Sequence, residues 1–247
     1  MEEGFYNKYN FIIPAAGIGK RLRPYTNDRP KCMVNICEKS LIEHQLNAIP
    51  VEFIRKLVII GGYKNNKLQK FISKCNLPFP VVFYYNQLYS RTRCAYSLLK
   101  AKNEMLEGYI HLNSDLLFTN QNLLRLLNSK YENAVLIRDV GNFRTDLEQV
   151  YIKDNKIVEW NLNTITGNNG EVVGPIKISP SAAKKIVEYF QKKLKFEKQN
   201  LPCYTLYSKL INHIDFYSIY MENENWQEID TAEDLKKAIS LIEKINS

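Results

Sequence analysis

No apolar run in these 247 residues approaches the roughly 18–20 needed to span a bilayer. The opening Met1-Glu2-Glu3-Gly4 is acidic and lacks the basic and apolar regions of a secretory signal. Both absences predict a cytoplasmic protein without membrane insertion. Cysteine is scarce: five residues, at positions 32, 37, 75, 94 and 203, with no Cys-x-x-Cys pair. Cys32 and Cys37 have no second close pair of Cys or His, which argues against a zinc site and predicts reduced thiols. Ten glycines and nine prolines argue against a fibrous or disordered chain, and no internal repeat or low-complexity segment is present. The three histidines, His44, His111 and His213, show neither triad nor metal-ligand spacing.

What is present is an ordinary globular composition, 45% hydrophobic and 24% charged, in a chain long enough to bury a sizeable core. Thirty-four Lys and Arg against twenty-six Asp and Glu leave a net charge of +8. That surplus points to an anionic partner: nucleic acid, a membrane surface or a phosphorylated small molecule. The basic residues are scattered without interleaved aromatics, so direct nucleic-acid binding is not expected.

Residues 11–16, 57–60, 80–85 and 109–113 read as buried strands, alternating with helices over 41–49, 67–74, 95–105 and 121–128. Ser40 and Glu43 have the spacing of a capping box at the first of these helices. Such alternation predicts an α/β protein with a largely parallel sheet, whose ligands sit at the carboxyl ends of the strands. Gly17, Gly62 and Asp115 each follow a strand directly. Short strands are expected over 134–138, 149–153, 157–161, 173–178 and 216–220. Ser181 is the expected cap of a helix to about Leu194, and Lys192 to Gln199 reads as a polar surface loop. Thr231 and Asp234 open an amphipathic final helix. No Pro-, Gly- or Ser-rich linker divides the chain, so residues 1–247 read as one domain. Within it, residues of about 1–130 and 131–247 form two halves of different texture.

The most informative segment runs Ala15-Ala16-Gly17-Ile18-Gly19-Lys20-Arg21-Leu22-Arg23-Pro24-Tyr25-Thr26, and Arg29-Pro30-Lys31 comes shortly after. A strand opening into Gly-x-Gly presents backbone N–H groups that can cradle phosphate. A dinucleotide fingerprint needs a third glycine at position 22, which is Leu, and the P-loop spacing is also absent. What remains is a short Gly loop that delivers two cations, Arg21 and Lys31, suited to a triphosphate undergoing displacement at phosphorus. Asp115, just past a strand at this end of the sheet, is well placed to hold Mg²⁺.

The pattern Gly17-x-Gly19-x-Arg21-Leu22-x-Pro24-x-Thr26…Pro30-Lys31 resembles the signature of the nucleotidyltransferases that join a nucleoside triphosphate to a phosphorylated metabolite. Among these it is most similar to the bacterial choline-phosphate cytidylyltransferases and their phosphonate- and amino-acid-phosphate-specific relatives. The likeness continues through Gly61-Gly62-Tyr63, Tyr85-Asn86, Ser97-Leu98, Asp115, Gly174-x-x-Lys177 and Glu228-x-Asp230. It implies a Rossmann-like three-layer α/β sandwich with a mixed, mostly parallel central sheet, of the nucleotide-diphospho-sugar transferase type. It also implies a Mg²⁺-dependent enzyme using CTP and a small anionic phosphorylated acceptor, in cell-surface polysaccharide or lipid head-group synthesis, acting as a monomer or homodimer.

The same resemblance implies catalytic roles for Arg21 and Lys31 and metal binding by Asp115 and Asp230. It implies nucleotide contacts from Ala15, Ala16, Gly17, Gly19, Gly62, Tyr63, Asn86 and Ser97, and acceptor contacts from Lys177 and Glu228. One stretch, Ser90 to Ala95, is more basic than in close relatives, so Arg91 or Arg93 is an alternative contact for an acidic acceptor. Trp226, Tyr217 and Tyr220 are either core or a cation box beside Glu228. The rival readings are a sugar-1-phosphate enzyme using UTP, GTP or dTTP, a glycosyltransferase, and a catalytically inactive nucleotide-binding regulator. A glycosyltransferase would usually show Asp-x-Asp where this chain has Asn113-Ser114-Asp115.

Overall fold

The computed structural model describes residues 8–139, 148–161, 167, 169–196, 200–221 and 225–246. Strand β1 (Tyr9–Ala15) is fully buried at Phe11, Ile12 and Ile13. Such a strand must be covered on both faces, and burial of each of these side chains contributes about 1.5–3 kcal/mol. Successive side chains point opposite ways, so Ile12 joins one core while Phe11 and Ile13 join the other.

A short hairpin of β2 (Asn35–Ile36) and β3 (Lys39–Ser40) leads into α1 (Leu41–Ala48). The Glu43 carboxylate accepts from both the N–H and the hydroxyl of Ser40, each at 2.7 Å, as the capping-box spacing predicts. Then come β4 (Ile54–Gly61), α2 (Asn65–Ile72) and β5 (Val81–Tyr85). The single helix expected over 95–105 is instead α3 (Cys94–Leu98), a 3₁₀ turn at Leu99–Ala101, and α4 (Lys102–Leu106). Tightening to about three residues per turn keeps Ala95, Leu98 and Ala101 on one buried face. Next are β6 (Tyr109–His111), β7 (Leu116–Phe118) and α5 (Asn120–Asn128).

The second half contributes β8 (Ala134–Arg138), β9 (Gln149–Lys153), β10 (Lys156–Asn161) and β11 (Gly170–Ile178). After these come α6 (Pro180–Phe196), α7 (Cys203–Ser208), β12 (Tyr217–Tyr220), β13 (Trp226–Glu228) and α8 (Ala232–Asn246). Helix α6 is capped by Ser179, not by Ser181. The Ser179 hydroxyl accepts from the Ala182 N–H at 3.3 Å, and Pro180 takes the first turn, where a missing N–H is harmless. The helix also absorbs residues 192–196, which the sequence presents as loop; 197–199 lie outside the described residues. At α8 the Thr231 cap is present, its hydroxyl accepting from the Asp234 N–H at 3.2 Å.

One nine-stranded mixed sheet runs through both halves in the order β5-β4-β1-β6-β11-β8-β12-β10-β9. Strands β5, β4, β1 and β6 are parallel, so their carboxyl ends share one edge. Strand β11 runs antiparallel to β6 and β8, and its first residues also pair with β9, closing β11-β8-β12-β10-β9 into a ring. Ala95, Met105, Ile186 and Leu206 place α3, α4, α6 and α7 on one face; Ile42, Leu68 and Leu123 place α1, α2 and α5 on the other. This is the α/β three-layer arrangement expected. Among the described residues no helix is long and apolar enough to cross a membrane, and all five cysteines are free thiols.

Candidate functional site

The Gly loop leaves β1 at the shared strand edge and folds back on itself. Gly19 adopts φ +65°, and a Cβ there would come within 3.0 Å of Lys31 Cβ and 3.1 Å of Thr26 Cγ2. The buried Thr26 hydroxyl donates to the Gly19 carbonyl at 2.8 Å, closing residues 19–26 into a compact turn. Lys31 is thereby drawn beneath the loop.

Its ammonium is shared between two carboxylates. Lys31 Nζ donates to Asp115 Oδ2 at 2.9 Å and to Asp230 Oδ1 at 2.5 Å, while Arg21 Nη2 donates to Asp230 Oδ2 at 2.7 Å. The Lys31 side chain is 12% exposed, that of Arg21 71%. Burial alone would lower the Lys31 pKa; the charges of Asp115 and Asp230 and their hydrogen bonds outweigh it and hold the ammonium above its ordinary 10.5. The exposed Arg21 pair adds little stability but leaves a guanidinium free to move onto an anion.

A two-stranded ladder brings these carboxylates together. Strand β13 pairs antiparallel with β7, Glu228 opposite Leu116, and the next N–H, of Ile229, donates to the Asp115 carbonyl at 2.9 Å. Gln45, fully buried on α1, fixes the other side of the 113–116 turn by donating to the carbonyls of Asn113 (2.6 Å) and Leu116 (2.7 Å). Asp115 and Asp230 therefore offer hard oxygen donors converging on one cationic centre. Among the described residues no group of three or more His, Cys, Asp or Glu is placed to hold a metal ion. A divalent cation held here would complete its shell from substrate oxygens and water, the coordination magnesium favours.

Around this cluster opens a cleft of about 660 Å³. The Gly-loop side supplies Ala15, Ala16, Gly17, Gly19, Lys20 and Arg21; the segment after β5 supplies Tyr89, Thr92, Arg93 and Cys94. Ser97 of α3 also lines the cleft. The opposite wall comes from the second half: Glu148, Val172, Val173, Tyr204, Thr205, Glu228 and Asp230. Tyr204 donates to Asn113 Oδ1 at 3.0 Å, and Thr205 to Glu148 Oε1 at 3.2 Å. Glu148 is buried, which pushes its carboxyl above the ordinary range. Cations thus gather at the Gly loop, and two further carboxylates lie across from them.

Not every expected residue reaches the cleft. Lys177 does not. Its side chain, 2% exposed, donates to the Ser129 carbonyl and hydroxyl, both at 2.8 Å, and burial pulls its ammonium down to about 8. The cause is the direction of β11. Running antiparallel to β6, it sets Lys177 opposite Ile110 at the far end of the sheet, while Val172 and Val173 face the cleft. Asn86 is fully buried and braces the loop behind the wall, donating to Thr92 Oγ1 and Ser97 Oγ at 2.9 Å each. Gly62 and Tyr63 also sit behind it: a Cβ on Gly62 would meet the Ala16 carbonyl and Tyr89 Cβ at 2.6 Å. The Tyr63 N–H and hydroxyl tie Ala16 and Asn27 in place.

Arg93 lines the cleft; Arg91 does not. The aromatic box is not assembled beside Glu228, since Trp226 packs under the Arg138 guanidinium and Tyr217 stacks on Tyr131 at 4.1 Å. Sequence reading missed Gln45, Glu148, Tyr204 and Thr205. None carries a local motif; each enters the site only through strand or helix packing across the sheet.

A family model for nucleotidyl transferases matches residues 10–145 of the chain. The CTP:phosphoglutamine cytidylyltransferase of Campylobacter jejuni is 26% identical, the match covering 93% of this chain and 99% of that protein. The choline-phosphate cytidylyltransferase of Streptococcus pneumoniae is 27% identical over 95% of this chain and 99% of its own length. A solved structure of CTP:phosphocholine cytidylyltransferase from Streptococcus pneumoniae superposes with a TM-score of 0.77 at 25% identity, covering 95% of this chain and 99% of that one. With the Gly loop, its two cations and the paired aspartates all in place, the chain belongs to the nucleotidyl transferase family.

Proposed function

We propose that this nucleotidyltransferase is a Mg²⁺-dependent cytidylyltransferase that joins CTP to a small phosphorylated or phosphonate metabolite and releases pyrophosphate. The observation that carries the reading is the convergence of Lys31 and Arg21 with Asp115 and Asp230 at the mouth of the Gly loop. The choice of CTP is supported by the cytidylyltransferases among its relatives.

In this reading an acceptor oxygen attacks the α-phosphorus in line with the departing pyrophosphate. That oxygen is already anionic, so no general base is needed, and catalysis is positioning and charge neutralisation. Backbone N–H groups between Gly17 and Arg21 cradle the triphosphate, Arg21 follows the leaving pyrophosphate, and Lys31 lies between acceptor and α-phosphate. Asp115 and Asp230 would hold the magnesium, which when bound offsets charge on phosphate oxygens.

Across the cleft, the carboxylates of Glu148 and Glu228 favour an acceptor whose head group brings positive charge or N–H donors. The test is pyrophosphate release with each triphosphate against phosphocholine, aminoethylphosphonate, glycerol phosphates, amino-acid phosphates and sugar phosphates. Release with CTP and a nitrogen-bearing acceptor is expected; release only with UTP, GTP or dTTP and a sugar phosphate would overturn the reading. Glu148→Gln should raise the acceptor KM by about tenfold while changing the CTP KM little.

A further inference from the structure

Cys94, in the wall of the cleft, and Cys203, directly behind it, stand against each other outside the charged cluster. Cys94 opens α3 and Cys203 opens α7. The Cys203 backbone N–H donates to Cys94 Sγ at 3.0 Å, which sets the two cysteines side by side. A disulfide needs Cα atoms about 4.4–6.8 Å apart, and the Cys94 sulfur lies 3.0 Å from the backbone nitrogen of Cys203, so the two residues are immediate neighbours across the contact between α3 and α7. Their environments differ. Cys94 is half-buried and lines the cleft, whereas Cys203 is fully buried behind it. Hydrogen bonds from Cys203 lower the Cys94 thiol pKa against the effect of burial, while burial raises that of Cys203. Among the described residues the other cysteines are placed differently: the Cys37 and Cys75 thiols donate to the carbonyls of Ile239 and Phe71, and burial pushes Cys32 up to about 12.

We infer that Cys94 and Cys203 form a redox modification site, in which Cys94 takes the oxygen of a hydroperoxide entering the cleft and Cys203 closes onto it as a disulfide. The Cys94 thiolate attacks one peroxide oxygen, the O–O bond breaks, and Cys94 becomes a sulfenic acid as hydroxide or alkoxide leaves. The Cys203 sulfur then attacks Cys94 Sγ; the S–S bond forms, the S–O bond breaks, and the hydroxyl departs with the Cys203 proton as water. Two electrons pass from the sulfurs to the peroxide. The bond ties α3, which carries Ser97, to α7, which carries Tyr204 and Thr205, and so pins the two walls of the cleft.

The chemical step does not rest on the choice of nucleotide or acceptor, and its first readout is mass. The whole protein is treated with hydrogen peroxide, alkylated, and analysed intact and by non-reducing peptide mapping. Loss of two hydrogens, a Cys94–Cys203 linked peptide and reversal by dithiothreitol are expected, with a several-fold fall in pyrophosphate release that recovers on reduction. In Cys203→Ser the link should be absent and Cys94 should be trapped as sulfenic acid by dimedone. The inference is overturned if both thiols remain alkylatable after peroxide, if the link forms between other cysteines, or if the linked protein turns over at the untreated rate. The wild-type mass and peptide map decide it even should the variant fail to fold.

Discussion

The carbonyl of Asp115 accepts the Ile229 N–H at 2.9 Å, and this one bond sets Asp115 and Asp230 on either side of a single lysine ammonium. The two carboxylates come from segments far apart in the chain, and the pairing of β13 with β7 brings them together.

Asp115→Asn and Asp230→Asn should each lower kcat by about 10²–10³ while leaving the fold intact, because each removes a carboxylate proposed to hold the magnesium that offsets phosphate charge. Pyrophosphate release beside far-ultraviolet circular dichroism checks this. Full activity in Asp115→Asn would remove that residue from the site.

Gly62→Ala places a methyl 2.6 Å from the Ala16 carbonyl and from Tyr89 Cβ. Backbone must shift, at a cost of about 1–3 kcal/mol. Since Ala16 belongs to the Gly loop, the nucleotide KM should rise together with the loss in urea stability.

Lys177→Met should leave the acceptor KM within about twofold of wild type, because the side chain lies at the far end of the sheet from the cleft. Stability should fall by about 1–3 kcal/mol as the carbonyls of Leu127 and Ser129 lose this donor. Steady-state kinetics and urea melts separate the two effects.

His111 is buried within β6, and burial lowers its pKa from 6.5 to about 4. Between those values the unfolded chain binds a proton that the folded protein refuses. Stability attributable to His111 is therefore whole above pH 6.5 and falls as the pH drops toward 4, by roughly 3 kcal/mol at the lower end. His111→Gln should lose less stability than wild type when urea melts at pH about 7 and about 5 are compared.

Much of this fold is legible in the sequence because its signals are local. Residues 134–138 and 149–153 form strands at the expected bounds, and the spacing of Ser40 and Glu43 announces the start of α1. The Gly-loop side of the site is equally local, since Gly19, Arg21, Thr26 and Lys31 lie within one short stretch. Lys177 shows where local reading ends. A lysine in a strand beside Gly-Pro looks like a ligand until strand direction is known, and direction is a property of pairing with β6. The sequence alone puts the cap of α6 two residues late, because Ser179 and Ser181 flank the same Pro180 and both are good caps. Glu148, Tyr204 and Gln45 carry no signal of their own.

The β7–β13 ladder has a consequence for the life of the chain. The family model matches residues 10–145, yet Asp230, Tyr204 and Thr205 all come later. As the polypeptide leaves the ribosome, its Gly loop and Asp115 are made early and stay incomplete until Trp226–Glu228 zips against Leu116–Phe118. The charged cluster is completed by the part of the chain made last, so an unfinished protein has the Gly loop, Lys31 and Asp115 but neither the second carboxylate nor the far wall of the cleft.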